Sequence, residues 1–195
     1  MDLNKFYETV SRIETHGGLG MRTPVGTVRM LYGIAKAMDA KTFIDVGTFV
    51  GLSTLWVARA MEENDNGGQI YTIELDQKWL DQAKEFAKEA GLSHRINFNL
   101  GDSRDYLPAV PIATVDLVLL DSGNKDLYPT DFENVEKYFT EDTLIIAHDV
   151  IEQSKVEFHS AWDFKAYLES RSEYESFLLP DEYGSLLIRR KKNEN

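Results

Sequence analysis

The 195-residue chain has no cysteine. Disulfides, thiolate metal ligands and cysteine nucleophiles are therefore excluded, which is compatible with a reducing compartment. Any catalysis rests on oxygen and nitrogen groups. No run of eighteen or more apolar residues is present, and the start, MDLNKFYETV, lacks the charged-then-apolar pattern of a secretory signal. A soluble, cytoplasmic protein without a membrane partner is expected. Basic residues are in deficit, 21 against 33 acidic ones for a net charge of -12. That balance opposes nucleic acid as a partner, because phosphate contacts need a basic footprint. A small molecule suits it better. The basic run Arg189 to Lys192 reads as a solvated chain end. Repeats, linkers and low-complexity tracts are also missing. A chain of this length with 43% hydrophobic residues fills one core, so one domain over 1–195 is expected, with 1–40 as an N-terminal helical cap.

What is present is an alternation. Thr42 to Val46, Gln69 to Glu74, Ile96 to Leu100, Val115 to Leu120 and Thr143 to Ala147 are short, mostly apolar and rich in strand-favouring residues. Between the second and third, Gln77 to Ala90 sets Leu80, Ala83, Ala87 and Ala90 on one helical face, with Gly91 as C-terminal cap. Leu52 to Met61 and Phe132 to Tyr138 read as further helices. Strand-helix alternation implies a parallel sheet. The end differs: helix Ala161 to Leu168 leads to Tyr174 to Leu179 and Ser185 to Arg190, a hairpin turning at Pro180 to Gly184. Leu3 to Ile13 and Val25 to Met38 read as amphipathic helices around Gly17, Gly18 and Gly20.

Each expected strand ends at or just before an acid: Asp45, Glu74, Asp102, Asp121 and Asp149. In open parallel sheets ligands bind outside the carboxyl ends of the strands. Helix capping explains any one of these acids. Five at one edge repel each other unless a cation balances them. The first turn, Asp45 to Gly51, sets glycines four apart between strand and helix, so that backbone can approach a ligand closely. Its spacing is neither G-x-G-x-x-G nor that of a P-loop, which favours a cofactor without a pyrophosphate. Glu74, one βα unit later, suits the hydroxyls of a ribose. Gly101-Asp102-Ser103 can reach an adenine amino group. His16, His94 and His159 lie away from these strand ends and read as exposed or structural. Tyr128 and Trp162 are candidates for an acceptor pocket, although core packing is the commoner fate of both.

With these residues in place, the chain resembles the class I S-adenosylmethionine-dependent methyltransferases, in particular the catechol and caffeoyl-coenzyme A type O-methyltransferases. FIDVGTFVGLST, YTIELD and GDSRDYLP resemble that family's first three motifs. The implied fold is a doubly wound, Rossmann-like α/β sheet of seven strands, mostly parallel with an antiparallel C-terminal hairpin strand and helices on both faces. The implied cofactor-binding set is Asp45, Gly47, Thr48, Gly51, Ser53, Glu74, Leu75, Asp102, Ser103 and Asp121. Glu74 would serve the ribose, Leu75 the adenine face, and Asp102 with Ser103 the adenine edge.

The resemblance extends to VDLVLLDSGNKDLY and LIIAHDV. Metal-dependent members carry an Asp ligand with a Lys three residues on, then adjacent Asp and Asn ligands. Here Asp121 matches the first ligand, Lys125 lies four residues on, and His148 and Asp149 stand where Asp-Asn is expected. Either Gly123 absorbs the extra residue or the lysine is not equivalent. The implied metal ligands are Asp121, His148 and Asp149. A divalent ion, Mg²⁺ or Mn²⁺, is expected, with the histidine arguing against an all-oxygen Mg²⁺ shell. The resulting expectation is metal-assisted methyl transfer to a hydroxyl of a small molecule, with Lys125 or His148 as catalytic group. As a base, Lys125 needs its pKa depressed from about 10.4. Rival readings are a metal-independent O- or N-methyltransferase using His148 or Asp149 as base, and a non-catalytic S-adenosylmethionine-binding protein. A nicotinamide oxidoreductase is disfavoured by the glycine spacing. A homodimer is expected from the resemblance alone.

Overall fold

A computed structural model describes residues 1–15, 23–150, 160–179, 181 and 183–192. His16, the glycines at 17, 18 and 20, His159 and Pro180 lie outside the described residues, as does the side chain of Trp162. Two helices, α1 (Leu3–Thr15) and α2 (Val25–Ala37), precede β1 (Thr42–Val46). Strands and helices then alternate through α3 (Leu52–Asn64), β2 (Gln69–Glu74), α4 (Gln77–Glu89), β3 (Ile96–Leu100), α5 (Ser103–Tyr106), β4 (Val115–Leu120), α6 (Tyr128–Glu136) and β5 (Phe139–His148). The described chain closes with α7 (Ser160–Ser170), β6 (Tyr174–Leu179) and β7 (Ser185–Arg190).

The seven strands form one sheet in the order β3-β2-β1-β4-β5-β7-β6. Pairings among the first five are parallel, whereas β7 runs antiparallel to both β5 and β6. Helices cover both faces because β1 and β4 are apolar on both sides and must be shielded twice. One core joins Phe6, Leu31, Leu55 and Ile70, with Leu119 and Ile146 pointing into it. The other joins Tyr128, Phe132 and Phe164, with Val118 and Ile145. Strand order reverses between β1 and β4, and such a switch point opens a crevice at the carboxyl ends of the strands. Asp45 and Asp121 flank it.

Several boundaries depart from the sequence reading, and two of the larger departures have a local reason. Strand β5 begins at Phe139 rather than Thr143, and its pairing with β4 shifts register between Val115 and Leu117. Thr143 holds that irregularity, donating from Oγ1 to the Val115 carbonyl at 2.6 Å and accepting from the Thr140 amide at 2.8 Å. The polar stretch Thr140-Glu141-Asp142 masks a strand that needs no apolar face there. Helix α6 begins four residues early because proline occupies one of its first positions, where a missing amide hydrogen costs nothing.

The N-terminal helices are fastened to α3 through Arg59. Its guanidinium lies 4.9–5.4 Å from the ring centres of Phe6, Tyr7, Tyr32 and Trp56, and Nε donates to Glu63 at 2.7 Å. Cation–π attraction of this kind favours arginine over lysine. Among the described residues, no helix is long and apolar enough to cross a membrane.

Candidate active site

The turn after β1 reverses tightly, with Gly47 at φ 99°, Phe49 at φ 46° and Gly51 at φ 80°. A Cβ on Gly47 would stand 2.6 Å from the Asp121 carbonyl oxygen. Glycine is required there both for the left-handed backbone and for the close approach of β1 to β4. Glu74 fixes the turn from the next strand. Its Oε2 accepts from the Phe49 amide at 2.8 Å and its Oε1 from the Asp76 amide at 3.0 Å. Each carboxylate oxygen offers about two acceptor positions, so the half-buried Glu74 keeps one on each oxygen for the adjacent hydroxyls of a ribose. Leu75 beside it is 70% exposed, an apolar face open to a flat ring. These residues fit the nucleoside part of S-adenosylmethionine.

Asp45, fully buried beneath the turn, accepts from Thr54 Oγ1 at 2.5 Å and Ser53 Oγ at 3.1 Å, both on Oδ2. Its Oδ1 is buried without a partner among the described residues. Complete burial pushes this carboxyl up to about 7; the two hydroxyls pull it back, and Asp121 and Glu74 add to the rise. An unfolded aspartate titrates near 3.9. From about pH 4 to pH 7 the folded chain therefore keeps a proton the unfolded chain has released, and this group's contribution to stability falls as pH rises through that window. In Asp45→Asn, the change in urea midpoint between about pH 4 and pH 7.5 is expected to lose this falling component. Identical pH dependence in the two proteins would refute the assignment.

At the third strand the acids face other partners. Asp102 caps α5 through the Arg104 amide at 2.9 Å and pairs with the Arg104 guanidinium, which holds it down at about 2. The Ser103 hydroxyl donates to Asp131 Oδ1 at 2.6 Å. Burial pushes Asp131 up to about 6 against that hydrogen bond.

The other half of the crevice gathers around Asp121. Thr23 Oγ1 donates to its Oδ2 at 2.9 Å, while Lys125 Nζ at 3.2 Å and His148 Nδ1 at 3.1 Å meet its Oδ1. Burial would raise this carboxyl, but the Lys125 ammonium, followed by His148 and Thr23, holds it below the usual range. An ionised carboxylate only accepts, so His148 carries its hydrogen on Nδ1. In the neutral ring Nε2 is then an acceptor, and among the described residues it is buried without a partner, in a residue 4% exposed. Lys125, 6% exposed, also donates to Tyr128 Oη at 2.8 Å and lies 3.7 Å from Asp149 Oδ2. Tyr128 Oη in turn donates to the His148 carbonyl at 3.0 Å. The extra residue before Lys125 is absorbed by the Ser122–Asn124 turn, and the lysine does reach the site.

Two expectations change at this point. As a base Lys125 needs a depressed pKa, yet it is held well above its ordinary value: burial lowers it, but Tyr128, Asp121 and Asp149 together outweigh that. It stands as a cation. The three implied metal ligands do not fit a divalent ion as placed either. An ammonium already bridges the two carboxylates, Thr23 takes one acceptor position on Asp121 Oδ2, and the His148 nitrogen nearest Asp121 is a hydrogen donor to it. No group of three His, Cys, Asp or Glu side chains suited to a metal occurs among the described residues.

The structure thus brings together Asp45, Gly47, Thr48, Gly51, Ser53 and Glu74 around one turn, and Asp121, Lys125, His148 and Asp149 around another. Asp102 and Ser103 are engaged by Arg104 and Asp131. Thr48 Oγ1 is buried against Thr72 Oγ1 at 2.5 Å and supports the turn from below. His94 is a surface group paired with Glu62 at 3.0 Å. Sequence reasoning missed Thr23, Thr54 and Asp131. It also missed Asp181, whose Oδ2 accepts from Thr27 at 2.6 Å and Ser185 at 2.7 Å and so ties α2 to the start of β7. Only Thr54, one residue past the glycine turn and its serine, carried a local signal.

Residues 44–150, more than half the chain, match the family of methyltransferase domains. A catechol O-methyltransferase of Niastella koreensis is 30% identical over 131 residues, which are 66% of this chain and 58% of that protein. The chain thus spans little more than half the length of this curated relative. Among solved structures, the O-methyltransferase of Bacillus cereus in complex with SAH superposes with a TM-score of 0.82 at 20% identity, covering 98% of this chain and 92% of that one. The O-methyltransferase TomG of Streptomyces achromogenes, in complex with SAM, gives 0.81 at 20% identity with the same coverage. At those identities the likeness is one of fold.

Proposed function

The chain belongs to the methyltransferase domain family, and from that premise we propose that it is an S-adenosylmethionine-dependent O-methyltransferase acting on the hydroxyl of a small molecule. Bound S-adenosylmethionine supplies a methyl group on a sulfonium sulfur, which leaves as a neutral thioether. Gly47 and Gly51 bring the backbone of the turn against that cofactor, Glu74 accepts from its ribose, and Leu75 covers its adenine. Ser103 and Asp102 lie toward the adenine edge, with Arg104 and Asp131 fixing their orientation.

The acceptor half rests on one observation: a buried His148 Nε2, unpartnered among the described residues, whose opposite nitrogen is fixed by Asp121. In this reading His148 Nε2 takes the acceptor's hydroxyl proton as its oxygen bonds to the methyl carbon, and later releases it to water. Asp121 holds the ring in the required tautomer and stabilises the imidazolium, the role a carboxylate plays behind a catalytic histidine. Holding the acceptor oxygen in line with the bound methyl group would supply much of the rate. The metal-assisted version is set aside because Lys125 stands between its ligands.

Calorimetric titration with S-adenosylhomocysteine is expected to show one site per chain. Absence of binding ends the reading. Binding without turnover on any phenol, catechol or alcohol acceptor would leave a non-catalytic cofactor-binding protein instead.

A further inference from the structure

We infer that the Lys125 ammonium is the resident cation of this site, seated where the ligand set Asp121, His148 and Asp149 would otherwise gather around a divalent ion. The inference concerns the acceptor corner of the proposed methyltransferase and rests on that reading for its catalytic meaning. Two acids at one sheet edge repel each other and require a compensating charge. That charge is already supplied from within the chain. Lys125 Nζ lies 3.2 Å from Asp121 Oδ1 and 3.7 Å from Asp149 Oδ2, and a hydrogen bond of 2.8 Å to the buried Tyr128 hydroxyl fixes it in place.

The seat is built rather than incidental. Tyr128 is wholly buried and anchored by its own hydrogen bond to the His148 carbonyl at 3.0 Å. One residue therefore links the ammonium to the strand end that carries both His148 and Asp149. Asp149 itself adopts a left-handed backbone at φ 62°, an uncommon conformation for a residue with a side chain. It is the geometry in which its carboxylate stands within 3.7 Å of Nζ. Thr23 takes one of the acceptor positions on Asp121 Oδ2. A divalent ion entering here would have to displace a buried ammonium and face it at short range. Its binding would require expelling a charge that is hydrogen-bonded to Asp121 and ion-paired with Asp149.

The consequence is a division of labour. A divalent ion would both offset the acids and draw the proton from the acceptor. A lysine ammonium does only the first, which leaves proton removal to His148 Nε2. Lys125 is therefore a positioning residue that holds the Asp121 and Asp149 carboxylates toward one point.

The test is Mn²⁺ uptake by the full chain in the presence of S-adenosylhomocysteine, read by electron paramagnetic resonance and by broadening of the His148 ring resonances. Wild type is expected to leave an equimolar free Mn²⁺ signal intact and His148 sharp. Loss of the free signal together with selective broadening of His148 would overturn the inference. Lys125→Met vacates the seat and should take up one equivalent of Mn²⁺ with His148 broadened, whereas Lys125→Arg should take up none. A folded Lys125→Met that binds no Mn²⁺ would show that the carboxylates form no cation seat, which also overturns it. If Lys125→Met does not fold, the wild-type measurement still decides. Failure of the methyltransferase reading would show separately, as absent binding of S-adenosylhomocysteine in metal-free buffer.

Discussion

Replacing His148 by asparagine is expected to lower kcat by about a hundred- to ten-thousand-fold, the usual contribution of a positioned general base. Affinity for S-adenosylhomocysteine should stay within about twofold, since the histidine is reserved for the acceptor. Asparagine keeps a donor that can still reach Asp121 Oδ1, so the 3.1 Å link across the strand ends need not be lost. What disappears is the Nε2 acceptor. Asp121→Asn should act in the same direction, because an amide opposite Nδ1 no longer selects the tautomer that leaves Nε2 free. A His148→Asn enzyme with wild-type kcat would remove the base and return the question of proton removal to Asp149.

The second large effect falls on the cofactor. Glu74→Ala is expected to weaken S-adenosylhomocysteine binding by about a hundred- to ten-thousand-fold. Two hydrogen bonds from ribose hydroxyls to a carboxylate contribute about 1.5–3 kcal/mol each, and each 1.4 kcal/mol is a tenfold change. The same substitution frees the Phe49 amide that Glu74 holds at 2.8 Å, so the glycine turn loses its brace as well. A deoxyribose analogue of the ligand separates the two contributions. Wild type should discriminate strongly against it, and Glu74→Ala should not. Equal discrimination by both proteins would move the ribose contact to another residue.

Much of this architecture is legible in the residues. The bounds of β1, β2, β3, β4, β6 and β7 coincide with those read from the strand-favouring runs; for β1 and β4 the reason is burial, since strands enclosed on both faces admit few polar residues. The first half of β5 was not legible. Its polar residues lie where Thr143, rather than an apolar face, organises the pairing with Val115. At the site, the acids were visible because each ends a strand. Their partners were not. Asp102 could as well have faced a ligand as Arg104, and nothing near Asp121 in sequence announces Thr23, 98 residues away.

The sequence by itself determined the strand-helix alternation, the glycine turn, the carboxylate a βα unit later and the gathering of acids at one sheet edge. Periodicity and spacing are local properties, and a parallel sheet turns them into a common edge. Only the tertiary structure decided what balances those acids. Repulsion among Asp45, Asp121 and Asp149 calls for a positive charge, but a divalent ion and a lysine ammonium answer it equally well on paper. The choice turned on whether a lysine displaced by one position could reach back. It does, because the Ser122–Asn124 turn absorbs the extra residue and Tyr128 fixes the ammonium from the opposite core. Likewise, the sequence supplied a histidine at a strand end. Packing against Asp121 decided which of its nitrogens is left to do chemistry.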